Sequence, residues 1–252
     1  MIRLMLINTQ EWIRLKFFQI VIFLSLLFVG FSQLLGSLSF TEQQRLVVDF
    51  GLAGIELALL FMACFFSTHA LAKEIERKTI LVILARPIPR WKVLMGYFGS
   101  LAILNLMTCL ALGITLFLFI SSAASISFVN YLIALVFIYL KSLVIGAFGL
   151  MISVAARPMF AFVLSIVYWL ISYSVVELSF FIKKLELDGE NIFIAALNFL
   201  FPQFYKYNWK SYGFLKAGTS FHDISWATLH SIGWIAIFLY ISALLFRRKE
   251  IV

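Results

Sequence analysis

Three ionisable side chains stand inside long apolar runs of this chain: Lys141 near the middle of 128–155, Glu56 in 50–72 and Glu177 in 159–182. On insertion scales a charge at the bilayer centre costs about 2.5–3.5 kcal/mol, so such groups pair with one another, line a wet cavity or carry a mechanism. Two roles fit Lys141: an ion pair with Glu56 or Glu177, or contact with a transported solute. A second concentration of charge lies in LAKEIERKTILVILARPIPRWK, residues 71–92, with six basic and two acidic side chains around the apolar core TILVILA. Thr79 is placed to cap a short helix running to Arg86, Pro87 disfavours its continuation, and Pro89 stiffens the return to Trp91. The expected product is a short rod with charged ends.

Other chemistry is missing from the sequence. No G-x-x-x-x-G-K-[ST] phosphate loop occurs, so nucleotide hydrolysis of that kind has to come from another chain. His69, His222 and His230 have no metal-binding spacing, and there is no G-x-S-x-G elbow. Cys64 and Cys109 fall in apolar runs, where each reads as a small apolar side chain. No cofactor or metal site is expected within the chain.

The elements that must position these residues are membrane helices. Hydrophobic residues make up 63% of the 252 residues and charged ones 13%, and the mean hydropathy is +1.03. Runs of about 20 apolar residues cross a hydrocarbon core, and six are present: 17–36, 50–72, 94–120, 128–155, 159–182 and 224–246. Each is too long and too continuously apolar for a barrel strand, so the expected fold is an all-α polytopic membrane protein, a single transmembrane domain over residues 1–252. The first run is read as a retained span, since no small-residue cleavage site follows it. Residues 1–18, with Trp12 among Arg3, Glu11, Arg14 and Lys16, read as a helix lying in the headgroup layer in preference to a plain cytoplasmic extension of span one. On span four, Ser142, Gly146, Gly149 and Ser153 form a small-residue face open to close helix packing.

Basic residues before span one, between spans two and three, at Arg157 and at Arg247, Arg248 and Lys249 outnumber those on the other side. Both termini are therefore expected to be cytoplasmic. The net charge of +8 is dispersed over separate loops, which fits contact with anionic membrane lipid and gives no reason for a nucleic-acid partner. On the outer side, residues 191–215 are apolar and aromatic but broken by Pro202. They fit a hydrophobic external hairpin with Tyr205, Tyr207, Trp209 and Tyr212 as an aromatic belt, or equally a loop packed on the helix ends.

The charged loop carries the pattern E-x-E-x-x-T-x-x-x-L-x-x-x-P-x-x-R in Glu74, Glu76, Thr79, Ile83, Pro87 and Arg90. In this it closely resembles the loop between spans two and three of the type-2 ABC exporter permeases, the membrane subunits of ATP-driven transporters. The architecture is also similar over the whole chain, from an amphipathic start to the basic end FRRKEIV. The resemblance implies that the loop is a coupling helix seated in a separate ATP-binding subunit. Glu74, Glu76, Arg77, Thr79, Arg86, Pro87 and Arg90 would carry that contact, with Ile83 or Leu84 as the apolar anchor. Lys78 departs from the family, whose members often have Gly there. The resemblance further implies ATP and Mg in an ABC ATPase partner, in two copies, and a second permease copy or similar chain. It implies a bacterial inner-membrane location and, for members that do mechanical work, an envelope or periplasmic partner. The competing reading is a stand-alone secondary transporter or channel using Lys141 with Glu56 and Glu177. A lipid-modifying enzyme lacks a nucleophile or an acid–base pair.

Overall fold

The computed structural model describes residues 2–38, 43–76, 89–120, 127–184, 197–209, 211, 215 and 220–248. Within these ranges the side chains of 2–4, 33, 35, 37, 38, 43, 44, 70, 72, 73 and 176–184 are not described. The long elements are α1 (Ile2–Arg14), α2 (Lys16–Leu38), α3 (Gln43–Glu76), α4 (Arg90–Ile120), α5 (Phe128–Ala155), α6 (Pro158–Lys184) and α7 (Phe221–Arg248), and no strand occurs among the described residues. Five of these helices are long and apolar enough to cross a membrane, and the bent pair formed by α1 and α2 makes a sixth. The protein is all-α and polytopic.

The helix boundaries have local causes. α5 stops at Ala155 and Pro158 opens α6, where the missing proline N–H is one of the four a helix start leaves unpaired anyway. α7 opens at a capping box in which Ser220 Oγ accepts the Asp223 N–H (3.3 Å) and donates to Asp223 Oδ2 (2.8 Å). α1 and α2 meet at Leu15 with a 67° bend. α1 buries Asn8, Thr9 and Trp12 while Leu6, Ile7, Gln10 and Glu11 stay exposed. Trp12 stacks on Phe66 of α3 at 5.0 Å, and Ser100 of α4 donates to Met5 O (3.2 Å). α1 is thus a separate helix turned away from the span it leads into, and Trp12, expected in the headgroup layer, is buried against α3 instead.

α5 is the hub, packing against α3, α4, α6 and α7. Its pairing with α3 is the most extensive in the molecule, and the small-residue face makes it possible. A Cβ on Gly146 would collide with Leu101 of α4, and one on Gly149 with Ser67 of α3. Tyr131 Oη donates to Gly113 O (2.7 Å) and Tyr139 Oη to Ala102 O (3.1 Å), tying α5 to α4. Most buried hydroxyls instead satisfy themselves within their own helix, as Thr68 does on Cys64 O (2.7 Å) and Ser165 on Ala161 O (2.8 Å).

Residues 197–209 fold down onto the helix ends. Tyr168 Oη donates to Leu200 O (3.0 Å), and a short 3-10 turn, Phe204–Tyr207, follows Pro202. Phe204 and Tyr207 are buried, with Tyr207 stacked on Phe137, whereas Tyr205 is exposed. Of the expected aromatic belt, Tyr207 has turned inward, its ring against Phe137 of α5 and its hydroxyl bonded to His230. Residues 191–196, 210 and 212–214 of the expected hairpin, Tyr212 among them, lie outside the described residues.

Valine at Gly149 is expected to force α3 from α5 and lower stability by about 1–3 kcal/mol, the usual cost of overpacking. Gly30→Val, where nothing lies within 4 Å, is the control and leaves the thermal midpoint in detergent unchanged.

Candidate functional site

Lys141 and Glu56 meet in the interior. Lys141 Nζ lies 2.9 Å from Glu56 Oε1, and the two residues are 1% and 3% exposed. The Lys141 ammonium also faces the Tyr173 ring of α6 at 6.0 Å, within cation–π range. The pair sits at a seam. Leu52, Ile55 and Leu59 of α3 and Tyr131, Ala134 and Ile138 of α5 belong to one apolar cluster. Leu60, Met62 and Phe66 with Val144, Ala147 and Leu150 belong to the other. Of the two acids available to Lys141 in the sequence, Glu56 is in contact with it; the Glu177 side chain lies outside the described residues. Nearby, Asn105 Nδ2 of α4 donates to Ser142 Oγ of α5 (3.1 Å).

The second group of residues flanks the charged loop. α3 does not end with its apolar run at Ala72 but continues to Glu76, because Ala, Lys and Glu are good helix formers. There Tyr97 Oη of α4 donates to Glu74 Oε2, while Glu76 is exposed. Arg90 is the first residue of α4. Its Nη1 donates to Phe246 O (2.8 Å) and Arg247 O (3.4 Å), and its guanidinium lies 5.7 Å from the centre of the Phe246 ring. The last carbonyls of a helix lack partners within it and attract cations, which explains why Arg90 turns to the end of α7. Of the residues matched to the coupling pattern that the structure describes, Glu76 presents an exposed side chain, whereas Glu74 and Arg90 make contacts within the chain. Arg77, Thr79, Ile83, Leu84, Arg86 and Pro87 lie outside the described residues.

A third feature was not legible in the sequence. α5, α6, α7 and residues 198–200 line an open cleft of about 740 Å³ rich in aromatic side chains, among them Phe148, Tyr168, Trp226, Trp234 and Phe238. His230 stands in its wall, bonded through Nδ1 to Tyr207 Oη, and Trp234 Nε1 donates to His230 Nε2 (3.2 Å). An indole N–H only donates, so Nε2 accepts, and the neutral ring carries its proton on Nδ1 toward Tyr207. The one available signal was the four-residue spacing of His230 and Trp234. Among the described residues, no three His, Cys, Asp or Glu side chains come together as a metal site.

Comparison with known families gives one match. A family profile described as ABC-2 family transporter protein covers residues 23–251, which takes in α3 to α7, the charged loop and most of α2. No curated protein matches the chain.

Removing one partner of a buried ion pair leaves the other charge stranded, at a cost of about 3–5 kcal/mol. Lys141→Met and Glu56→Gln are each expected to destabilise the protein by that order, and the double variant by clearly less than their sum. Thermal unfolding of the four proteins in detergent measures this. Strictly additive losses would show that the two residues do not act as a pair.

Proposed function

Because the chain belongs to the ABC-2 transporter family, whose membrane subunits normally work with an ABC ATPase, we propose that it is the permease subunit of an ATP-driven exporter. In this reading ATP and Mg are bound by a separate ATPase subunit present in two copies, and a second permease copy completes the path. Residues 77–88 face the ATPase on the cytoplasmic side of a bacterial inner membrane, where both termini also lie.

The observation that carries this reading is how the two flanks of 77–88 are fastened. On the entering side, Glu74 is bonded to Tyr97; on the leaving side, Arg90 is bonded to the end of α7. A loop held at both ends cannot be displaced without moving α3, α4 and α7 with it. α3 is 34 residues long, about 51 Å at 1.5 Å per residue, against a hydrocarbon core of about 30 Å. One continuous helix thus runs from the buried pair at Glu56 to the loop. ATP can drive transport only if one arrangement of the ATPase pair favours one arrangement of the spans, and this linkage supplies the connection. Glu76 and the loop residues Arg77, Thr79, Ile83, Leu84, Arg86 and Pro87 are assigned to the ATPase surface, and Glu74 and Arg90 to anchoring the loop.

The competing carrier reading requires Lys141 and the acids to exchange partners or protons during transport. Burial of the Lys141–Glu56 contact among apolar clusters favours a structural role instead.

The test is co-purification of the tagged chain with its candidate ATPase from detergent. Glu76→Arg and Leu84→Asp are expected to abolish association and stimulated ATP hydrolysis while leaving the permease monodisperse and its thermal midpoint unchanged. Undiminished association in both variants would refute the assignment.

A further inference from the structure

The cleft beside His230 is a slot between two helices that do not close on each other. α6 and α7 both pack against α5 but scarcely against one another. The gap between them is floored by Phe148 and Met151 of α5 and bounded at one end by residues 198–200. Phe148, Tyr168 and Phe238 are buried in it, whereas Trp226, Leu229 and Ile237 stand at its lip with at least half of their surface exposed. The polar atoms of its aromatic walls are already committed. Tyr168 Oη donates to Leu200 O, Trp234 Nε1 to His230 Nε2, and the His230 Nδ1 proton is directed to Tyr207 Oη. These side chains therefore offer the slot little but ring surface. Hydrogen-bonding capacity is kept at the 198–200 end, where Asn198 Oδ1 accepts from Gln203 Nε2 (2.6 Å) and leaves the NH2 group to donate.

Gly233, near the middle of α7, lines the slot, and a Cβ there would meet nothing within 4 Å. Glycine in a helix interior costs about 0.5–1 kcal/mol relative to alanine, and packing within the chain does not require one at this position. Its effect is to keep the slot open halfway along. The dimensions then select an occupant. Trp226 and Ile241, at the two ends of the α7 lining, are fifteen residues apart, about 22 Å along the helix. Spread over that length, a volume of about 740 Å³ gives a mean cross-section of about 33 Å². A helix of a second copy, at least about 10 Å across with its side chains, needs about 80 Å². A hydrocarbon chain, about 4 Å thick, fits. Water needs two to four polar partners to stay in such a space, and the committed walls do not supply them.

We propose that this slot binds an acyl chain of a membrane lipid, which enters sideways between α6 and α7 from the leaflet on the side of residues 198–200. The polar head lies at Asn198, and the chain runs past Gly233 toward Ile241. The site occupies the half of α7 away from the charged loop and stands whether or not 77–88 docks an ATPase.

The experiment is photolabelling of the full chain in phosphatidylcholine vesicles doped with a phosphatidylcholine that carries a diazirine on one acyl chain, with labelled positions read by mass spectrometry. Label is expected on Met151, at the floor of the slot, at a level well above that on Phe23 and Leu27, which are exposed on α2. Gly233→Trp fills the slot and is expected to cut the Met151 label by about tenfold. Gly30→Trp, the same change at an open position of α2, should leave it unaltered. Ile237→Trp, at the exposed lip, fills the slot from a second position, and wild-type elution on gel filtration confirms that each variant folds. Met151 label no stronger than that on α2, or unchanged in both slot-filling variants, would overturn the proposal. Loss of self-association in Gly233→Trp with the label intact would also overturn it and make the slot a contact between copies.

Discussion

A lysine in hydrocarbon has no water to turn to, and the alignment of α3 with α5 follows from that constraint. Lys141 is satisfied by Glu56 at 2.9 Å, which fixes the depth at which the two helices face each other. Small residues then set how closely they approach, since a side chain at Gly149 would strike Ser67 further along the same contact. The ion pair need not add net stability, because an apolar pair of similar volume often does as well or better. Its contribution is register: a slip of either helix by one turn, about 5.4 Å, would leave two unpaired charges among Ile55, Leu59, Ile138 and Val144.

The same alignment connects the interior to the end of the bundle. α3 runs without interruption from Glu56 to Glu76, and Tyr97 of α4 meets it at Glu74. α4 begins at Arg90, which caps α7, and α7 packs back on α5. These contacts form a closed circuit of helices with 77–88 as one link. In the function proposed above, such a circuit would be the physical means by which an event at the loop reaches the spans.

Much of this was readable from residue order. Continuous apolar runs announced the spans, and Trp12 among charges the separate first helix. Lys141's need for an acid was also plain. That Glu56 meets it was not, because Glu56 and Glu177 both lie inside apolar runs and only helix packing shows the Glu56 contact. Glu74 and Arg90 matched a docking pattern, yet the hydrogen bonds of Arg90 go to carbonyls more than 150 residues away in sequence, a contact no local pattern encodes. The overrun of α3 past Ala72 was missed for another reason: hydropathy marks where the membrane ends, whereas helix propensity decides where the helix does. The contact of His230 was not readable because its partner Tyr207 comes from a segment that folds back over the helix ends.

The claim that α3 and α5 form one unit held by the buried pair is tested most directly by a distance. Spin labels at Phe61 and Val136, which are 43% and 51% exposed, would be placed in a chain with Cys64 and Cys109 replaced by alanine. Pulsed electron resonance would then be recorded with the ATPase partner, with and without trapped nucleotide. The account predicts a single narrow distance that nucleotide does not shift and that broadens in Lys141→Met. A distance that moves with nucleotide, or one indifferent to the loss of Lys141, would contradict it.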